Sequence, residues 1–299
     1  MKTGIALGGG GAKGLAHIGV LKVLEGHGIV PDMVSGTSIG ALIGALYVLR
    51  GSIGAVEEYA LGFENSNLYP HLVPRPSSTG MISEKRIRAF LQGLFGARRI
   101  EDLERPFFCP AADIRNGREV MFGRGSLRQA VRASISVPVI FKPVRLRGRY
   151  LVDGGLLNPV PVDVLKKHGC GFTIAVNVIA PRPLRPRRRK KPDVKEKQLL
   201  ARLDDFLSRR LISGSPDEEP NMIEAFLSTM EIMQQKLIAA RLCADVPDAV
   251  IHIETSDIKM FEFYRPAAII RRGEQAARRE IEAVLAGWRR RQRAENKSG

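Results

Sequence analysis

Pro31-Asp32-Met33-Val34-Ser35-Gly36-Thr37-Ser38-Ile39-Gly40-Ala41-Leu42 joins an apolar stretch to a run of small and apolar residues through a G-x-S-x-G turn. Residues 31–35 read as a strand and 41–49 as a helix. A backbone passing from one to the other over so few residues must turn sharply, and the turn lifts the Ser38 hydroxyl clear of the sheet. Gly36 and Gly40 remove the side chains that would collide there. Placing Ser38 at a helix start also aims free N–H groups and the positive end of the helix dipole at any anion formed beside it. The alternative is a tight turn with a purely structural role.

Upstream, Ile5-Ala6-Leu7 forms a short buried strand that runs into Gly8-Gly9-Gly10-Gly11-Ala12-Lys13-Gly14. A helix is expected over 15–24, where Leu15, Ile18, Leu21 and Leu24 recur at three-residue spacing. Gly9, Gly11 and Gly14 satisfy G-x-G-x-x-G, but a dinucleotide site needs an acidic residue at the end of the next strand to hold the ribose. Ser35-Gly36-Thr37-Ser38 occupies that place, and Asp32 lies at the strand's start. A phosphate loop of the G-K-[ST] kind also fails, because Gly14 follows Lys13. Two readings remain: a flexible strand-to-helix connection, or a row of bare amides converging on a negative oxygen, as an acyl-transfer oxyanion hole requires. The serine turn on the following strand favours the second.

Further strands are expected at 106–112, 149–152, 172–178 and 249–253, and helices at 83–94, 126–134, 162–168, 221–242 and 265–293. Strands and helices in alternation predict a mainly parallel sheet covered on both faces. The helix from Asn221 carries Ile223, Phe226, Leu227, Met230, Met233 and Leu237 on one face, a stripe that predicts core packing over a lid.

A third motif, Asp153-Gly154-Gly155, follows the strand Arg149-Tyr150-Leu151-Val152. Out of context it is a turn former. In context, Ala133-Ser134-Ile135-Ser136-Val137-Pro138 precedes it and Leu156-Leu157-Asn158-Pro159-Val160-Pro161 follows it. Together with the two glycine motifs, these residues closely resemble the patatin-like phospholipase family, above all its small bacterial members related to the catalytic domain of neuropathy target esterase. The resemblance runs from about Thr3 to Val178, and more faintly through Phe261 to Ala277. It implies a three-layer α/β/α fold with a central, mainly parallel sheet, and hydrolysis of fatty acyl esters of (lyso)phospholipids or related lipids by a Ser–Asp dyad that needs no cofactor and no metal. Carried onto this chain, Ser38 is the nucleophile and Asp153 the proton acceptor. The amides of Gly9, Gly10 and Gly11 form the oxyanion hole, with Gly14, Gly36, Gly40, Gly154 and Gly155 as supporting glycines. Lys13 matches a position that is commonly basic in the family.

The rival arrangement is a Ser–Asp–His triad, since His168 and His252 follow Ser38 and Asp153 in hydrolase order. His17, His27 and His71 precede the aspartate and fit less well. A rival of another class is a non-catalytic regulatory or scaffold protein that keeps the fold and binds partners through its basic segments.

Those basic segments account for most of the formal charge of +16 over 299 residues. Nine basic residues between Pro181 and Lys197 face only Asp193 and Glu196, and five between Trp288 and Gly299 face only Glu295. Pro181, Pro183, Pro186 and Pro192 interrupt the first segment, so it reads as an extended loop. It is either a solvated linker or a patch drawn to anionic lipid headgroups, each nearby cation contributing on the order of 1 kcal/mol. Nucleic acid is not expected, because no aromatic residues interleave with the run to stack on bases. The expected organisation is a core over 1–180, a basic proline-rich loop over 181–198, a helical part of the same domain over 199–287 and a basic tail over 288–299. Cys109, Cys170 and Cys243 lack C-x-x-C spacing and read as reduced thiols. No segment has the apolar length of a signal peptide or a membrane span. A cytoplasmic protein, peripheral at the membrane through its basic loop, is the expectation.

Overall fold

The computed structural model describes residues 1–62, 83–179 and 221–298. The basic loop 181–197 and His71 lie outside them. Five strands, β1 (Thr3–Leu7), β2 (Met33–Gly36), β3 (Phe107–Asp113), β7 (Phe172–Asn177) and β8 (Ala249–His252), lie parallel in the order β3-β2-β1-β7-β8. Beyond β3 the sheet turns antiparallel: β4 (Arg118–Phe122) and β6 (Arg149–Asp153) both pair with β3, and β5 (Val144–Leu146) pairs with β6. The mainly parallel sheet expected from the sequence is present, with an antiparallel margin that the sequence did not show. β4 and β5 are short and no better than half-buried, so they lack the apolar run that betrays a parallel strand.

Both faces of the sheet are covered. Successive side chains on a strand alternate between faces. A Cβ at Gly4 of β1 would touch Leu165 of α6 (Val162–Lys167). Leu7 and Val34 instead face Gly44 of α2 (Ile39–Arg50). The remaining helices are α1 (Ala16–Gly26), α3 (Ile53–Gly62), α4 (Glu84–Phe95), α5 (Leu127–Ser134), α7 (Met222–Asp245) and α8 (Pro266–Ser298). One apolar core runs from Ile5 and Leu7 through α1 and α2 to Ile269, Ile281 and Leu285 of α8. The residues after 220 therefore belong to the same core as the first strands. Trp288 also donates from Nε1 to the Thr3 hydroxyl at 3.0 Å, and the helix continues from it through the basic C-terminal residues to Ser298.

The helix from Asn221 shows the core packing its apolar stripe predicts in part, with Ile223 and Leu227 set against the core. Its start is fixed by a capping box of Asn221 and Glu224, yet only Met230 and Ile238 are buried, while Ile232 and Met233 are 60% and 62% exposed. α7 does not lie on the sheet. Its Met230 and Gln234 line a cavity.

α1 and α8 pack closely enough for backbone to meet backbone. A Cβ on Gly273 would fall on the Ala16 carbonyl, and one on Gly19 on the Ile270 carbonyl, far inside van der Waals contact. Neither obstacle is a side-chain tip that could swing away. Gly273→Ala should therefore destabilise the protein by about 1–3 kcal/mol, read as a lower urea midpoint at unchanged slope. Gly93→Ala, in open space on α4, should stabilise it by roughly 0.5–1 kcal/mol. Equal midpoints for the two variants would refute the close crossing.

Candidate active site

Ser38 caps α2 with φ 56° and ψ −121°, a conformation that a non-glycine residue adopts only when its surroundings impose it. The imposing contacts are local and long-range. Thr37 N donates to Leu7 O at 3.0 Å, Gly40 N donates to Thr37 O at 2.8 Å, and the Thr37 hydroxyl donates to Asn158 O at 2.7 Å. Ser38 N donates to Ser134 Oγ at 3.1 Å. A Cβ on Gly40 would overlap the Leu7 carbonyl, and one on Gly36 the Gly40 carbonyl, so both glycines of the turn are sterically required. Gly14 packs its bare Cα against Ile39 in the same way. Ser134, in the Ala-Ser-Ile-Ser segment, is a supporting residue whose role the sequence alone did not reveal.

Asp153 ends β6 and is 2% exposed. Its Oδ1 accepts the Gly155 amide at 2.7 Å. Its Oδ2 is buried without a partner of full hydrogen-bond geometry, although the Ser38 side chain is near enough to favour the ionised form. Burial dominates, and the carboxyl is pushed up to about 6, with Ser38 and the Gly155 amide opposing. A base with such a pKa is mostly ionised at pH 7 and still able to take a proton. Gly154 sits against the Pro110 carbonyl, which leaves no room for a larger residue, and Gly155 lies against the tip of the Gln234 side chain of α7.

The glycine loop divides its amides. Gly9 N donates to Pro159 O at 3.0 Å, which corrects the expectation that all three glycines offer free donors: this one is committed to the scaffold. Gly10 N and Gly11 N have no acceptor among the described residues. Their φ values of 153° and 60° point the chain away from the strand, and the Val178 side chain and the Met260 carbonyl fill the places where their Cβ atoms would stand. The loop then tightens into a 3₁₀ turn over Gly11–Leu15. Lys13 is buried within it and pairs with Glu231 of α7 at 2.6 Å, so the covering helix is tied to the glycine loop.

Gly10, Gly11, Ser38 and Asp153 line one cavity of ≈ 790 Å³. Its walls are Ile39, Leu42, Ile135, Val137, Phe141, Met230, Met260, Phe261 and Phe263, with Gln234 as the further polar group. A second cavity of ≈ 450 Å³ shares Ile39, Leu42 and Phe263 with the first and continues along α2 past Ile43 and Leu46. Those α2 positions follow i, i+3, i+4 and i+7 spacing from Ile39, so the apolar floor extends about 10 Å from the serine.

None of the described histidines lines either cavity. His168 rests on the Phe108 ring at 4.4 Å and turns Nδ1 to Val164 O, and His252 contacts Asn177. His17 is buried behind the glycine loop and its Nε2 donates to Gly8 O at 2.8 Å. Desolvation lowers its pKa to about 4, so it is a neutral strut. Among the described residues no cluster of His, Cys, Asp or Glu is placed to hold a metal ion, and no helix is long and apolar enough to cross a membrane.

The fold and the cavity define a three-layer α/β/α protein with a serine raised on a strand-to-helix turn beside a buried carboxylate. Residues 5–166 match the family model described as patatin-like phospholipase, and the chain belongs to that family. Similar proteins include an uncharacterized NTE family protein of Mycobacterium tuberculosis, 32% identical over 286 residues, which cover 94% of this chain and 46% of that protein. The lysophospholipase NTE1 of Candida albicans is 35% identical over 179 residues, 59% of this chain and 13% of that protein. The chain spans about half the length of the mycobacterial relatives. Among solved structures, VipD from Legionella pneumophila matches at a TM-score of 0.48 and 14% identity, covering 94% of this chain and 67% of that one.

Asp153 has a consequence for stability. Its folded pKa of about 6 lies above the ordinary 3.8, so the folded state binds more protons than the unfolded state between these values. The contribution of Asp153 therefore favours folding at low pH and is lost as pH rises through about 6. Asp153→Asn should raise stability at pH 7 by on the order of 2–3 kcal/mol, with the gain vanishing towards pH 4. Urea titrations at the two pH values check this; an equal gain at both would mean that the charge is not its source.

Proposed function

We propose that the chain is a serine acyl hydrolase, cleaving fatty acyl esters of (lyso)phospholipids or related lipids with Ser38 as nucleophile and Asp153 as general base. The observation that carries the reading is the buried, under-partnered Asp153 carboxylate beside a strained serine at the head of an apolar cavity. A scaffold protein gains nothing from a buried charge that weakens its fold near neutral pH, whereas a base gains reactivity from it. Similarity to a protein named a lysophospholipase supports the ester of a single-chain lipid as substrate.

In the reaction, Asp153 takes the Ser38 proton as Oγ attacks the ester carbonyl. The carbonyl oxygen becomes an oxyanion in front of the Gly10 and Gly11 amides, at the positive end of α2. As the C–O bond breaks, Asp153 returns the proton to the leaving alkoxide, and the acyl group remains on Ser38. Asp153 next removes a proton from water, which attacks the acyl-serine and releases the fatty acid, restoring the serine hydroxyl. Throughout, the acyl chain lies along Ile39, Leu42, Ile43 and Leu46. The Lys13–Glu231 pair holds α7 over the site, and Gln234 supplies a polar contact at its mouth.

Ser38→Ala should abolish hydrolysis of p-nitrophenyl esters and labelling by a fluorophosphonate probe. Asp153→Asn should lower turnover about 10²–10⁴-fold, while His168→Ala and His252→Ala retain most activity. Wild-type activity should fall as pH drops below about 6, where Asp153 takes up a proton. Loss of turnover in either histidine variant at unchanged stability would replace the dyad with a triad.

The glycine loop has a separate readout. Gly11→Ala should depress kcat by about 10²–10³-fold, more than it raises KM, if its amide meets the oxyanion. The opposite split, with KM rising and kcat preserved, would move the loop from catalysis to substrate binding.

A further inference from the structure

The strands beside Asp153 extend past the edge of the sheet where Ser38 sits. β1, β2 and β3 run parallel, and both the glycine loop and the serine turn leave from their C-terminal ends. β6 is antiparallel to β3, with Asp153 opposite Ala111 and Leu151 opposite Asp113. Followed backwards from Asp153, β6 therefore climbs over that edge, by about 13 Å to Arg149. The β3–β4 turn projects in the same direction, and the two hairpins are joined where Ile114 N donates to Tyr150 O at 3.0 Å.

Residues 114–118 and 137–152, which form the hairpin tips and the loop leading into them, contain no acidic residue. They carry Arg115, Arg118, Lys142, Arg145, Arg147 and Arg149, all exposed. None of the six is in an ion pair among the described residues. The same segments expose two large apolar side chains, Ile114 at 54% and Val139 at 47%. Val139 is held at φ +71°, a costly conformation for a β-branched residue. Its neighbours Val137 and Phe141 line the Ser38 cavity, so the exposed residue stands at the cavity's rim.

We infer that this rim is the surface by which the protein lies on an anionic lipid aggregate. Ile114 and Val139 enter the headgroup layer and the six cations meet the lipid anions, a combination of apolar tips and positive charge that suits a membrane interface. An acyl chain then passes into the cavity without crossing bulk water. The inference rests on the lipid hydrolase reading given above. Charge alone would also suit nucleic acid, but exposed aliphatic tips gain nothing on a phosphate backbone. Tyr150, the aromatic nearest the tips, is already stacked under Arg115 at 4.4 Å, which leaves it unavailable to a base.

The test is co-sedimentation of the full chain, in a Ser38→Ala background that prevents turnover, with phosphatidylcholine vesicles prepared with and without phosphatidylglycerol. The parent should bind the phosphatidylglycerol vesicles and release them as salt rises. Arg145→Gln, Arg147→Gln and Arg149→Gln together should weaken that binding on the order of 100-fold, at about 1 kcal/mol for each cation. Val139→Asn, which tolerates the positive φ, should weaken binding in both lipid mixtures. In the Ser38 background all these variants should hydrolyse a soluble short-chain ester at the wild-type rate, with unchanged thermal unfolding. Undiminished vesicle binding by the triple variant, or a parent that binds duplex DNA in preference to vesicles, would overturn the inference. Vesicle binding that behaves as expected in a protein without esterase activity would count against the proposed reaction alone.

Discussion

The structure depends on a backbone-to-backbone contact: the first turn of α2 lies against the carbonyls of Leu7 and Gly8 at the end of β1. Gly40 permits that approach and Gly36 permits the chain to fold back on the Gly40 carbonyl, so Ser38, between them, is left with a positive φ. A strained residue of this kind costs of order 1–3 kcal/mol. The hydrogen bonds from Thr37 to Leu7 and Asn158, and from Ser38 N to Ser134, hold it there. The same contact brings the glycine loop leaving β1 to the side of the serine, where a Gly9 Cβ would stand 3.5 Å from that of Ser38.

Asp153 carries the second constraint. Its position at the end of an antiparallel strand, next to Ala111 of β3, places it under the serine turn and away from water. Desolvation raises its pKa and weakens the fold near neutral pH, while the Gly155 amide and the Ser38 side chain recover part of the loss. The amide is supplied by Gly155, two residues on in the same motif, so the Asp-Gly-Gly sequence is at once a turn and the first partner of the carboxylate.

The cavity is finished by residues beyond the matched family span. Met230 and Gln234 of α7, followed by Met260, Phe261 and Phe263, close a site whose serine, carboxylate and glycines all come from the first 155 residues. Glu231 ties α7 to Lys13 in the glycine loop, and α8 braces the opposite side of the core through its glycine crossing with α1. Residues of the first half of the chain are thus enclosed by one helix and one loop of the second, both beyond the matched family span.

Strand and helix periods, the serine turn and the Asp-Gly-Gly turn were legible in the sequence because each depends on residues within a few positions of one another. Sterics at Gly36 and Gly40 and the alternation of parallel strands with helices are local properties of that kind. The commitment of the Gly9 amide to Pro159, the support of Ser38 by Ser134 and the burial of Lys13 against Glu231 join residues 150, 96 and 218 positions apart. No spacing rule reaches that far. The apolar stripe of α7 was equally visible, but a stripe records only that one face avoids water. Whether that face meets the sheet or roofs a cavity is settled by where neighbouring helices leave space, and that is a property of the packed chain.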